Sequence, residues 1–174
     1  SNFDTELLMN LPSLPNTRQE ITTIASFYDP EPSSTLLFGN DASEGALKSL
    51  DLSRYSTIAF ATHGLLSGEI PGLVEPALLL TPTENPNEIN DGLLTASEVS
   101  MMDLNADLVI LSACNTNLDG RMNADGLSGL STAFLYAGVR SLMVTHWSVD
   151  TDASAFITTT AIEKNYAEPH LGLA

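Results

Sequence analysis

The sequence predicts an α/β domain, a mostly parallel sheet flanked by helices, on three observations. Four short runs, at residues 34–38, 56–62, 106–113 and 140–145, are apolar without alternation, which marks strands covered on both faces. Segments with helical spacing and start signals alternate with them, the order that right-handed crossovers between parallel strands impose. At 174 residues and 43% hydrophobic the chain can bury one core, and no apolar run approaches the roughly 18 residues of a membrane span.

The elements follow in chain order. Three segments open on a capping residue with Glu three positions later: Thr17 with Glu20, Asp41 with Glu44, and Thr95 with Glu98. Each predicts a helix, over "TRQEITTIASFY", "DASEGALKSL" and "TASEVSMM". The runs "STLLF" and "STIAFAT" supply the first two strands, and Pro and Asn-Asp-Gly punctuation marks an inserted hairpin between residues 75 and 95. "ADLVILSA" is the third strand, "GLSGLSTAFLYAG" a buried helix stopped by Gly138, and "RSLMVT" the fourth strand. A last helix, "DASAFITTTAIEKNY", starts near Asp150 or Thr151. The whole reads as a single domain.

Six Lys plus Arg against 22 Asp plus Glu give a net charge of −16, a surface that repels phosphate backbones and anionic membranes. Direct nucleic-acid or membrane binding is not expected. The amino terminus lacks a secretory pattern, and the single cysteine rules out an internal disulfide, so a reducing cytoplasm is the expected setting.

In an open parallel sheet the ligand edge lies at the carboxyl ends of the strands. "STIAFAT" runs into His63 and Gly64, and "ADLVILSA" into Cys114 and Asn115, so an imidazole and the only thiol emerge at one edge. An imidazole that takes the thiol proton generates a nucleophile able to attack a peptide carbonyl, then returns the proton to the departing amine. Gly64 admits close backbone approach, and its amide and that of Cys114 are candidates for the oxyanion hole. A lone cysteine is also a common buried hydrophobe, and a strand-end histidine a common hydrogen-bonded loop residue; residue types alone leave both readings open. His63 and Cys114 are 51 residues apart, near the spacing of about 50 in caspases, although the Q-A-C-[RQG]-G signature is absent.

Three blocks, "IAFATHGLL" (58–66), "DLVILSACNTN" (107–117) and "GLSGLSTAFLYAGVRSLMVTHWSVDTDAS" (126–154), resemble the CHAT peptidases, caspase-like proteins often fused to tetratricopeptide repeats in bacteria. The resemblance implies a caspase-hemoglobinase-like three-layer sandwich. It also implies a cysteine endopeptidase dyad, His63 as base and Cys114 as nucleophile, acting on protein or peptide substrates. The pocket for the residue before the scissile bond would fall to Ser112 and to "HWSVD", with Trp147 as a wall and Asp150 selecting Arg or Lys. Asp150 also stands where a helix cap belongs, and Trp147 where it can pack under the loop. The chain stops at "EPHLGLA" where relatives continue, which implies a domain excised from a longer protein and regulated by a repeat domain or partner. The loop "NLDGRMNADG" falls where related peptidases vary or are cleaved on activation.

Other chemistries are weaker. His146 is a rival base at the next strand end, and His170 lies in a polar tail. No close-spaced ligand pair supports a metal site, and no phosphate loop or dinucleotide fingerprint supports a cofactor. A redox sensor would need a resolving cysteine. The alternative to a peptidase is a catalytically silent interaction module with the same fold.

Overall fold

The computed structural model describes residues 8, 10–28, 34–82, 90–115, 128–144, 156–157 and 159–164, with the backbone alone at 113–115. Its helices are α1 (Thr17–Phe27), α2 (Glu44–Lys48), α3 (Ala96–Ser100) and α4 (Ser128–Tyr136). Its strands are β1 (Thr57–Leu65), β2 (Ala77–Leu79), β3 (Leu93–Thr95), β4 (Leu108–Asn115) and β5 (Leu142–Val144). Residues 156–157 and 159–164 are helical as well.

The five strands form one sheet in the order β3-β2-β1-β4-β5. Its centre is parallel: β1 pairs with β4 from Thr57↔Leu108 to Gly64↔Asn115, and β4 with β5 over Val109↔Leu142 to Leu111↔Val144. The expected inserted hairpin is present as β2 and β3, antiparallel to each other, and β2 joins β1 only at Gly64 and Leu65.

The pleat sorts β4 into two faces. Val109 and Leu111 pack with Val99 of α3 and with Leu130 and Phe134 of α4, and Phe60 joins them with its ring 5.8 Å from that of Phe134. Leu108 and Ile110 pack on the other side with Ile24 of α1 and Ile162. Helices therefore cover both faces, leaving the sheet as the middle of three layers, and the continuous apolarity of "LVIL" follows from that double burial.

Local chemistry sets the helix ends. Thr95 forms a full capping box: Glu98 N–H donates to its hydroxyl, and Glu98 Oε2 accepts from Thr95 N–H at 2.9 Å. The other two expected caps fall elsewhere. Asn16 precedes α1 without a side-chain cap, while the Thr17 hydroxyl bonds back to Leu14 O. Ser43, not Asp41, caps α2, accepting from Ala46 N–H at 3.2 Å, and Asp41 closes a short 3-10 turn, Gly39–Asp41. Glu44, with no cap to complete, turns inward. Fully buried, it accepts from Gly92 N–H at 3.1 Å and pairs with Lys48 at 2.5 Å, and Lys48 reaches Glu98 at 2.8 Å. Gly138 does end α4. Its φ of +106°, with Val139 N–H on Phe134 O and Gly138 N–H on Leu135 O, makes a Schellman turn.

One expected strand is not a strand. Residues 34–38 join no ladder; Leu37 and Phe38 line a cavity together with Ile58–Thr62, the part of β1 that β2 does not reach. Thr57–Thr62 are accordingly only half-buried, unlike Leu108–Leu111 of β4.

Candidate active site

His63 and Cys114 are register partners on adjacent parallel strands, at the carboxyl ends of both. In-register positions share a face, and the strand axes stand about 4.8 Å apart, so the backbone alone brings the two positions together. Counting by twos from Ala59 and Ile110, which border the α1-side cluster, assigns this pair to the α1 face.

The His63 ring is buried, 7% exposed. Its Nε2 lies 2.8 Å from the carbonyl oxygen of Pro12. A carbonyl only accepts, so Nε2 carries the hydrogen and the lone pair of the neutral ring sits on Nδ1. That Nδ1 is buried and has no hydrogen-bond partner among the described residues. Burial pushes the pKa of His63 below the usual histidine value, and the Pro12 contact offsets part of the shift. The ring is therefore neutral, with its acceptor nitrogen unpaired among the described residues.

Pro12 is delivered by an amino-terminal strap. Leu8 is buried in a cluster with Leu65, Ile70 and Leu79, and Leu11 packs at its margin. The residue that orients His63 thus contributes a backbone atom, for which a sequence has no signature; the two prolines at 12 and 15 mark only non-helical chain. Strap, β1 and residues 35–43 enclose an open cavity of about 580 Å³, with His63, Thr17, Ile21 and Leu37 in its wall.

Gly64 has register partners on both sides, Asn115 and Leu78. Beyond it, Glu69 Oε2 accepts from Leu66 N–H at 2.7 Å and ties down the turn that leaves β1. Ser112 is buried on β4 opposite Ala61, two positions before Cys114 and hence on the same face. The side chain of Cys114 lies outside the described residues, as do His146, Trp147, Asp150, His170, the loop 117–126 and the start of the last helix. Among the described residues no group of His, Cys, Asp and Glu is arranged to hold a metal ion, and no helix is long and apolar enough to cross a membrane.

Comparison with known families decides the family of this chain. The family described as "CHAT domain" matches residues 2–171. The chain belongs to the CHAT domain family. Its mixed five-stranded sheet, parallel at the centre and flanked by helices, is the caspase-like α/β fold of that family. A 62-residue stretch is 42% identical to tetratricopeptide repeat protein 28 of Mus musculus. That stretch is 36% of this chain and 2% of the mouse protein, so the CHAT chain spans only a small part of the relative it matches.

Proposed function

We propose that this CHAT domain is a cysteine endopeptidase in which His63 is the base and Cys114 the nucleophile. The observation that carries the proposal is the pairing of these two positions at a shared strand end, with the buried Nδ1 of His63 lacking a partner among the described residues. Pro12 holds the proton on Nε2, so Nδ1 takes the proton from the thiol as the sulfur attacks the substrate carbonyl carbon. The carbonyl electrons move to oxygen, where the amides of Gly64 and Cys114 are the proposed donors. Nδ1–H then protonates the departing amine, the C–N bond breaks, and a thioester remains. Water, deprotonated by the same ring, hydrolyses the thioester and restores the thiol. Because burial favours the neutral ring, the resting pair is thiol and imidazole, and the proton moves during attack rather than before it.

Ser112, Trp147 and Asp150 are proposed to shape the pocket for the residue before the cleaved bond, with Asp150 favouring Arg or Lys. The substrate is a protein or peptide, and no metal or organic cofactor takes part. A tetratricopeptide-repeat domain or partner is the proposed regulator, in line with the repeat protein that the chain resembles, and the peptidase unit is proposed to work as one domain of a longer protein in the cytoplasm.

The chain holds one cysteine, so alkylation reads the site directly. With iodoacetamide at neutral pH, the His63→Ala variant is expected to react roughly tenfold more slowly than the parent, and both His63→Ala and Cys114→Ala to lose turnover of a fluorogenic peptide library. Equal alkylation rates, with no peptide cleaved by the parent, would leave a silent interaction module as the function.

A further inference from the structure

The carbonyl that accepts from His63 Nε2 at 2.8 Å belongs to a residue that does not hold itself in place. Pro12 and Ser13 are exposed, and both border the open cavity, as Leu14 does. The position of the Pro12 oxygen is therefore set by what anchors the strap on either side of it. Five positions on, α1 begins, tied to the strap by the Thr17 hydroxyl on Leu14 O at 2.9 Å and held to the sheet by Ile24 against Leu108 and Ile110. Four positions back stands Leu8, 3% exposed, packed in one cluster with Leu65, Ile70 and Leu73.

Leu65 stands two positions after His63 and so shares its face of β1. The strap thus crosses that face from the Leu65 cluster to the imidazole before α1 begins. The cluster is also separate from the rest of the core. It is built from the strap, the end of β1, the turn that carries Ile70 and Leu73, and Ala77, Leu79 and Leu93 of the hairpin, and it shares no buried residue with the two clusters that sandwich β4. A small cluster of its own kind opens locally at lower cost than the whole fold. Here that local opening includes the segment on which the His63 ring depends.

We infer that Leu8 is a positioning residue for His63: docked among Leu65, Ile70 and Leu73 it holds the Pro12 carbonyl on Nε2, and its release frees the ring while the sheet stays folded. With the strap undocked, Nε2–H turns to water and neither ring nitrogen keeps a fixed direction. The histidine is then switched off by the loss of one leucine's packing, with no change at the strand ends themselves. The consequence for cleavage rests on the proposed role of His63 as the base; the positioning does not.

NMR of the isotope-labelled full chain at neutral pH tests it through the ring N–H of His63, assigned by its absence from His63→Gln. In the parent this proton is expected to exchange with water at least about tenfold more slowly than that of an exposed imidazole. Leu8→Ala, which empties the anchor, is expected to abolish the slowing, and the volume-conserving Leu8→Met to restore it. Val109 N–H, which donates to Ser141 O at 2.9 Å, is expected to stay protected in the parent and both variants. A ring proton that is fast in the parent, that stays slow in Leu8→Ala, or that is lost equally from Leu8→Met would overturn the inference. If Leu8→Ala also strips Val109 of protection, urea added to the parent decides: loss of the ring proton before Val109 upholds the separate opening, and simultaneous loss overturns it. The peptidase reading fails independently, since a slow ring proton in a parent that cleaves no peptide keeps the positioning and removes the catalytic role.

Discussion

Replacing Lys48 by methionine removes the ammonium group that Glu44 and Glu98 share. The Glu44 side chain is 1% exposed, and its charge is met by Lys48 at 2.5 Å and Gly92 N–H at 3.1 Å. Breaking a buried pair from one side costs about 3–5 kcal/mol, and because the Lys48 and Glu98 side chains are 25% and 20% exposed, water offsets part of it; about 2–3 kcal/mol is expected. For a domain of this size that is roughly 5–10 °C in Tm. The pH dependence has a definite sign. Burial already raises the pKa of Glu44, against the pull of Lys48, and loss of the ammonium raises it further. A carboxyl with a folded pKa above its unfolded one holds its proton more firmly when folded, so stability falls as pH rises between the two values. The deficit of Lys48→Met against the parent is therefore largest at pH 7 and shrinks toward pH 5. Thermal unfolding followed by circular dichroism at both pH values measures it, and adding Glu44→Gln is expected to recover much of the pH 7 loss. A variant within about 0.5 kcal/mol of the parent at pH 7, or a deficit that deepens on acidification, would refute the reasoning.

Other expectations rest on single contacts. Gly138→Ala places a Cβ 2.1 Å from Leu104 O at a φ of +106°, a clash of the new methyl with backbone, and is expected to cost about 3 kcal/mol or more in urea unfolding. Thr95→Ala breaks the capping box and should lower stability by about 1 kcal/mol, whereas Thr17→Ala, which removes no side-chain cap of α1, should cost less in the same assay. Phe134→Ala empties a site 1% exposed between α4 and β1, with an expected loss of about 3–5 kcal/mol by denaturant titration. His63, held below the usual histidine pKa by burial, binds its proton more readily unfolded; stability falls as pH drops from the usual value toward the folded one, and His63→Gln should flatten that part of the Tm profile.

Sequence patterning disclosed the layers because double burial leaves a dense signal: "LVIL" on β4 has helices on both sides, and its apolarity is continuous for that reason. It disclosed the strand ends that carry His63 and Cys114, since parallel order and run lengths fix which residues leave the sheet together. Capping was legible where one short motif does one job, as at Thr95 and Glu98. It misled at Asp41 and Glu44, because a Glu three places after an Asp has the same letters whether it closes a box or pairs with a buried lysine. "STLLF" has the composition of a strand, but a strand needs a ladder partner, and composition is silent on whether the neighbouring edge is engaged. The hydrogen bond from His63 to Pro12 was out of reach for a different reason: the accepting atom is common to every residue type.

The register of β1 against β4 also determines what kinds of genetic change this sheet edge tolerates. Positions along a strand alternate between faces, so a single inserted or deleted residue early in β1 that shifted its pairing by one would carry position 63 across to the side of α3 and α4. Substitutions in the surrounding strand erode the packing by degrees; a change of length by one residue separates the imidazole from position 114 in a single step.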